Sequence, residues 1–247
     1  MRLKLTIAYD GAPFAGWQSQ AGGNTVQDVI EAAIARIAGS PLRLHGAGRT
    51  DSGVHALGQV AHFDVPDSSR LSPAEWRRAL NGTLPPSIRI LRANRAPADF
   101  HARFQATGKV YRYDVWTGDV LPPHLHRRAW HVNPPPDLAV LRSVLDLFVG
   151  THDFRAFAAN RGSPVESTVR SIAAIRVVRS GPLLRLTFEG DGFLYKMVRM
   201  LTGAAVRVAG GREEIGTVRD LLVQPGAKKW TLVAPADGLH LVRVRYC

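Results

Sequence analysis

Apolar and polar residues alternate over the first nine positions of the chain, the pattern of a strand with one buried face. From Val26 to Ile37 the apolar spacing changes to three and four residues, which indicates an amphipathic helix. Thr25 and Asp28 form a capping box that predicts the start of this helix, and Gly39 predicts its end. The chain therefore opens with a strand followed by a helix.

Similar patterns predict the elements that follow. Strands are expected at 58–65, 88–92, 109–117, 171–178, 183–188 and 239–245. Helices are expected at 73–82, 138–149, 195–208 and 213–222. Because strands and helices mix without strict alternation, we predict an α+β fold with antiparallel strands. The two parts of the chain repeat a similar order, which suggests an internal duplication with its boundary at 104–107.

The 247 residues are 45% hydrophobic, enough to bury a core as one large or two small domains. No apolar run approaches the roughly 20 residues of a membrane helix, and the alternating start is unlike a signal peptide. Cys247 is the only cysteine, so no intrachain disulfide can form. We therefore expect a cytoplasmic protein without a membrane partner.

The formal net charge is +12, with 32 lysines and arginines against 20 aspartates and glutamates. Such an excess favours a polyanionic partner, and nucleic acid is the usual one. Arginine supplies most of the positive charge, and its planar group binds phosphate at two points and stacks on bases. Genome composition or thermal adaptation would also raise the arginine content.

The most informative segment is the glycine-rich run 46–55, in which Arg49 stands two residues before Asp51. A nearby guanidinium favours the ionised carboxylate, and glycines allow a ligand to come close. Asp51 is thus a candidate nucleophile or general base, although a tight turn with Asp51 bonded to backbone amides is an equal alternative. Asp51 occupies the position of the third glycine of a dinucleotide fingerprint, and no Lys-Ser or Lys-Thr follows as in a phosphate loop.

The run Arg49–Ala56 closely resembles the Gly-Arg-Thr-Asp-x-Gly-Val-His signature of the tRNA pseudouridine synthase A family. Further stretches resemble that family in the same order, at 9–18, 25–27, 100–113, 192–199 and 238–239. Together these stretches extend over essentially the whole chain. The sequence therefore resembles this family over nearly its whole length.

The resemblance implies two ferredoxin-like halves, 1–104 with the catalytic aspartate loop and 105–247, whose sheets join around a basic cleft. It implies isomerisation of uridine to pseudouridine at positions 38, 39 and 40 of the tRNA anticodon stem–loop. It also implies a homodimer that binds tRNA and works without a cofactor. The nine histidines show no metal-ligand spacing, so we expect no metal.

The resemblance assigns Asp51 as the nucleophile and places Tyr111 against the target uracil. Arg49 would pair with Asp51 or fill the gap left by the flipped base. Arg199 matches the arginine that reaches the family's aspartate, and Leu239 is expected beneath the site. At the next position the chain departs from the family pattern, since Met200 replaces the usual asparagine.

Without the resemblance, Tyr111 and Tyr113 would be interpreted as two core aromatics on one strand face. Other residues are predicted to contact tRNA phosphates, and they are His101, Arg103, Arg155, Arg161 and Lys228.

Two other functions stay open. The first is a catalytically silent RNA-binding protein, which the presence of Asp51 disfavours because a carboxylate adds nothing to phosphate affinity. The second is a nucleoside N-glycosidase that uses two carboxylates, Asp51 with Asp10 or Asp64, and would release free uracil.

Overall fold

The computed structural model describes residues 1–66, 69–160 and 167–247. Two compact units make up the chain, the first formed by Met1–Thr107 with His240–Cys247 and the second by Gly108–Leu239. The C-terminal strand thus lies in the first unit, whereas the predicted halves counted it with the second.

The strands, in chain order, are β1 (Arg2–Tyr9), β2 (His45–Gly46), β3 (His55–Asp64), β4 (Ile88–Arg95), β5 (Gly108–Trp116), β6 (Trp130–His131), β7 (Gly150–Asp153), β8 (Val169–Ser180), β9 (Leu183–Gly190) and β10 (Leu239–Arg245). The helices are α1 (Val26–Ala38), α2 (Pro73–Thr83), α3 (Leu138–Asp146), α4 (Met197–Ala209) and α5 (Ile215–Val223). The mixture of helices and mainly antiparallel strands confirms the predicted α+β class.

Strand β3 organises the first unit. It pairs antiparallel with β1 on one side, and β4 continues the sheet beyond β1. On its other side β3 pairs with β2 near His62 and, in parallel, with β10 near His55. The lateral order β4–β1–β3–β2 is that of a ferredoxin-like βαββαβ unit.

The local signals of the first unit behave as the sequence predicts. In β1 every second side chain is buried, which places Leu3, Leu5 and Ile7 in the core. The capping box of α1 is formed, and the helix ends at a left-handed Gly39.

The second unit carries the antiparallel sheet β5–β9–β8–β7, with β6 running parallel beside β5. Helices α3 and α4 pack against each other. The succession β5, α3, β8, β9, α4 repeats the succession β1, α1, β2, β3, α2 of the first unit. The order β5–β9–β8 likewise repeats β1–β3–β2, which supports the proposed duplication.

Some boundaries differ from the sequence prediction. Strand β3 starts at His55, three residues earlier than expected. Helix α4 starts at Met197 instead of Tyr195. Lys196 has a left-handed φ of 60°, which is outside the right-handed helical region, so the helix can begin only after it. The prediction missed β2, β6 and β7, which have two to four residues and are too short to show a period.

Candidate active site

Asp51 lies on a tight turn that leads into β3. Its backbone carbonyl accepts a hydrogen bond from the amide of Val54 at 3.1 Å. The side chain is partly exposed. The turn therefore holds the carboxylate at the surface of the first unit, where a ligand can reach it.

The segment after β1 holds this turn in place. In the core the hydroxyl of Tyr9 lies 2.8 Å from Oγ1 of Thr50. The amide of Trp17 donates to the carbonyl of Thr50 at 3.1 Å, and the hydroxyl of Ser52 donates to the carbonyl of Phe14 at 3.2 Å. Both neighbours of Asp51 are thus tied to the motif at 9–18.

Two glycines allow these segments to meet. A Cβ on Gly11 would collide with the carbonyl of Val54. Gly16 has a φ of +99°, and a Cβ there would lie 2.8 Å from the carbonyl oxygen of Thr50. At Gly11 the close approach alone requires glycine. At Gly16 the positive φ and the close approach both require it.

His55 anchors the turn from its other end. The imidazole is buried and stacks on His240 of β10, with 4.7 Å between ring centroids. Its Nδ1 accepts the amide hydrogen of Gly11 at 3.1 Å and lies 3.2 Å from Oδ1 of Asp10. His55 therefore positions the loops around Asp51.

Arg49 is exposed, and its Nε donates to the amide oxygen of Gln18 at 3.2 Å. Gln18 in turn donates to Oε1 of the buried Gln27 at 2.9 Å, and Gln27 donates to Glu31 at 2.8 Å. This chain of side chains connects Arg49 to α1. The pairing of Arg49 with Asp51 stays a prediction, since the contact shown for Arg49 is to a neutral amide. Gln18 and Gln27 lie in the segments 9–18 and 25–27 that resemble the family, and no sequence signal singles out their amide side chains.

In the second unit Arg199 lies on α4, and its Nε donates to the carbonyl of Ala234 at 2.7 Å. The hydroxyl of Tyr113 donates to the carbonyl of Pro235 at 2.7 Å. Burial raises the pKa of Tyr113 well above its ordinary value, so this phenol stays protonated. The positive charge of the nearby Arg199 acts to lower the pKa of Tyr113, but burial has the larger effect. Leu239, just after this segment, is buried, and its position beneath the site stays a prediction.

Tyr111 lies on β5 opposite Phe188 of β9, and its side chain is largely buried. Its ring packs edge-to-face on Phe193, with 5.2 Å between centroids. Residues 108–113 of one family motif and the motif at 192–199 are thus adjacent within the second unit. Met200, which replaces the family asparagine, is buried on α4.

The predicted phosphate contacts lie in different surroundings. Arg103, Arg155 and Lys228 are exposed, whereas Arg161 lies outside the described residues. His101 uses its Nδ1 to accept the amide hydrogens of Arg103 and Phe104, at 3.1 and 3.3 Å. Burial and the neighbouring cations lower the pKa of His101, so at neutral pH only its Nε2 proton remains to meet a phosphate.

The two candidate second carboxylates differ. Asp64 forms a paired hydrogen bond with Arg2, at 2.9 and 2.8 Å, and lies nine residues along β3 from His55. At about 3.3 Å per residue this is roughly 30 Å, too far for a glycosidase pair, which needs about 5 to 9.5 Å. The pairing of Asp51 with Asp64 is therefore wrong. Asp10 lies at the same end of the sheet as Asp51, and its Oδ1 accepts the amide hydrogen of Ala12.

Among the described residues, no group of three or more histidines, cysteines or carboxylates is arranged to bind a metal ion. No helix within those ranges has the length and apolar character needed to cross a membrane.

The family model described as tRNA pseudouridine synthase matches residues 5–105 and 144–247. The chain belongs to this family. It is 47% identical to tRNA pseudouridine synthase A of Akkermansia muciniphila, over 99% of this chain and 95% of that protein. It is also 47% identical to the protein of the same name from Solidesulfovibrio magneticus, over 99% and 91%. A relative of that name from Geobacillus kaustophilus is 42% identical, over 99% and 94%. The matches include all the segments that surround Asp51.

Proposed function

We propose that this protein isomerises uridine to pseudouridine in tRNA, at positions 38, 39 and 40 of the anticodon stem–loop. The observation that carries the proposal is the position of Asp51. It lies on a glycine-lined turn held by the family motif at 9–18, in a chain that matches tRNA pseudouridine synthases over nearly its full length. The relatives' name supports tRNA as the substrate.

The reaction is balanced within one nucleotide. The bond between C1′ and N1 breaks, the uracil turns, and a bond forms between C1′ and C5 while the C5 proton leaves and N1 gains one. No electrons and no external group are transferred. The protein must therefore supply a carboxylate and a route for one proton.

Asp51 provides the carboxylate in this proposal. It attacks the sugar or the uracil ring, or stabilises positive charge on the sugar as the glycosidic bond breaks; elimination to a glycal is a further route. Each of these roles requires the ionised form. The anchored turn positions the carboxylate before substrate binds, which lowers the cost of reaching the reactive geometry.

The other proposed site residues act on the nucleotide around the reacting bond. Tyr111 stacks on the target uracil and helps to remove the C5 proton, directly or through water. Arg49 occupies the space left by the flipped base or pairs with Asp51. Arg199 and Leu239 contribute to binding of the nucleotide. Tyr113 is not the proton acceptor, because its phenol is buried and hydrogen-bonded to Pro235.

We also propose that the protein works in the cytoplasm as a homodimer. The family resemblance supports the dimer, and the net charge of +12 supports an extended polyanionic substrate.

The test is tritium release from tRNA that carries uridine labelled at C5, with the modified positions mapped by carbodiimide treatment and primer extension. We expect release from wild type and a loss on the order of 10⁴-fold or more in Asp51→Asn. Asp119→Asn is the matched control, because Asp119 is an exposed aspartate after β5.

The same reactions separate the competing functions. Free uracil among the products would indicate the N-glycosidase. Tight tRNA binding without tritium release by wild type would indicate the silent RNA-binding protein. Activity of Asp51→Asn within about tenfold of wild type would contradict the role of Asp51.

A further inference from the structure

Phe104 lies on a turn within the motif at 100–113, and three quarters of its surface is exposed. Phe100, four residues earlier, is buried. A single exposed apolar side chain is common on protein surfaces and by itself indicates nothing. The way in which this ring is held is the informative feature.

Hydrogen bonds fix the turn that carries Phe104. The amides of Arg103 and Phe104 both donate to Nδ1 of His101. The amide of Ala102 donates to Nδ1 of the buried His62 at 3.2 Å, and the hydroxyl of Tyr246 donates to the carbonyl of Ala102 at 2.7 Å. The backbone beneath Phe104 is therefore anchored to both β3 and the C-terminal segment.

The ring of Phe104 also has a fixed orientation. It stacks on the imidazole of His101, with 4.2 Å between centroids and 29° between planes. His101 packs edge-to-face on His62, which in turn stacks on His45. One face of Phe104 thus rests on a supported imidazole, while most of the residue stays exposed.

A positive charge lies beside the ring. The guanidinium of Arg103 lies 5.6 Å from the centre of the Phe104 ring and is exposed. An aromatic face beside a guanidinium is the combination that stacks an unpaired base and neutralises its phosphate. If Phe104 instead formed a symmetric contact between two copies of the protein, Arg103 of one copy would lie near Arg103 of the other, and the two like charges would repel.

We propose that Phe104, supported by His101 and flanked by Arg103, is a stacking platform for an unpaired base of the RNA substrate. These three residues are called the Phe104 platform. The proposal rests on the proposed function for the class of substrate and adds a second contact with it.

The Phe104 platform is remote from the proposed reaction. His62, which holds its turn, lies seven residues along β3 from His55, or about 23 Å at 3.3 Å per residue. Asp51 is at the His55 end of that strand. The platform therefore contributes to binding of the RNA and not to the chemical step.

The experiment measures the dissociation constant and the single-turnover rate at saturation, with an unmodified tRNA transcript that wild type modifies. Phe104→Leu keeps an apolar side chain and removes the aromatic face. We expect its dissociation constant to rise by about five- to hundredfold, the range for loss of one stacked base, with the saturating rate unchanged. Phe104→Trp should bind as wild type does, and Leu91→Ala controls for loss of exposed apolar surface.

A salt titration separates stacking from charge. Phe104→Leu should leave the slope of log affinity against log salt unchanged, whereas Arg103→Ala should reduce it by about 0.7 to 0.9. An unchanged dissociation constant for Phe104→Leu would overturn the proposal. A changed oligomeric state of Phe104→Leu in size-exclusion chromatography would also overturn it, because the ring would then serve contacts between copies.

These results are distinct from a failure of the proposed function. If wild type forms no pseudouridine, the function is wrong whatever Phe104 does. If wild type forms pseudouridine and Phe104→Leu binds equally well, only the platform is wrong.

Discussion

The hydroxyl of Tyr9 lies 2.8 Å from Oγ1 of Thr50 inside the core, one residue before Asp51. The bond joins the end of β1 to the turn that carries the proposed nucleophile. Both residues are buried, so water cannot replace a lost partner cheaply. The position of Asp51 therefore depends on a pair of neutral, buried side chains.

We predict that Tyr9→Phe lowers the single-turnover rate by about ten- to hundredfold, because a small displacement of a reacting group has that effect. The free energy of unfolding should fall by about 1 to 3 kcal/mol, the cost of removing one partner from a buried hydrogen bond. Thr50→Val removes the other hydroxyl, and the double variant completes a cycle. Effects on the rate that simply add would contradict a shared role of the pair.

Tyr111 and Tyr113 offer a second test, since they share a strand and differ in their contacts. Tyr111→Phe keeps stacking and loses the hydroxyl, so we expect slow turnover with normal tRNA affinity. Tyr113→Phe loses the hydrogen bond to Pro235, so we expect nearly normal turnover and a loss of about 1 kcal/mol in stability. Equal turnover in the two variants would favour the interpretation of both as core aromatics.

The buried His62 predicts a dependence of stability on pH. Burial, with repulsion from His101, His45 and Arg2, lowers the pKa of His62 from 6.5 to about 4, and Asp64 opposes this shift. Between these values the unfolded chain binds a proton that the folded chain does not, so stability falls as pH falls from about 6.5 to 4.

The shift corresponds to about 2 to 3 kcal/mol at pH 4. Thermal and denaturant unfolding across this range should show a flatter profile for His62→Asn than for wild type, since asparagine does not titrate there. His124→Asn, at an exposed position with no part in the shift of His62, is the control. Parallel profiles for His62→Asn and wild type would show that this histidine does not carry the effect.

The sequence predicted the parts of the site that depend on local chemistry. The capping box of α1 and the glycine-lined turn both have short-range signals. The link from Arg49 through Gln18 to Gln27 has none, because amide side chains that bond across loops follow no period. The parallel pairing of β10 with β3 was missed for a similar reason: it joins residues nearly 200 positions apart, and each strand looks ordinary by itself.

Loss of any of the predicted phosphate contacts should change tRNA affinity and its salt dependence in the same way. Replacing Arg155 or Lys228 by alanine should weaken tRNA affinity equally for all sequences and reduce the salt slope by about 0.7 to 0.9 per lost contact. Both side chains are exposed, so stability should hardly change. An unchanged slope for a variant would exclude that residue as a phosphate contact.

Arg49 should behave differently, because its proposed partner is Asp51 or the flipped nucleotide. Arg49→Ala should lower the single-turnover rate at saturating tRNA more than tenfold, the usual scale for a positioning contact, with little change in affinity. Gln18→Ala should lower the same rate by a smaller factor, because Gln18 holds the guanidinium at 3.2 Å. Gln20→Ala is the matched control, since the side chain of Gln20 donates only to the nearby carbonyl of Ala15. If Arg49→Ala changed affinity alone, Arg49 would be a phosphate contact and the link through Gln18 would have no part in the reaction.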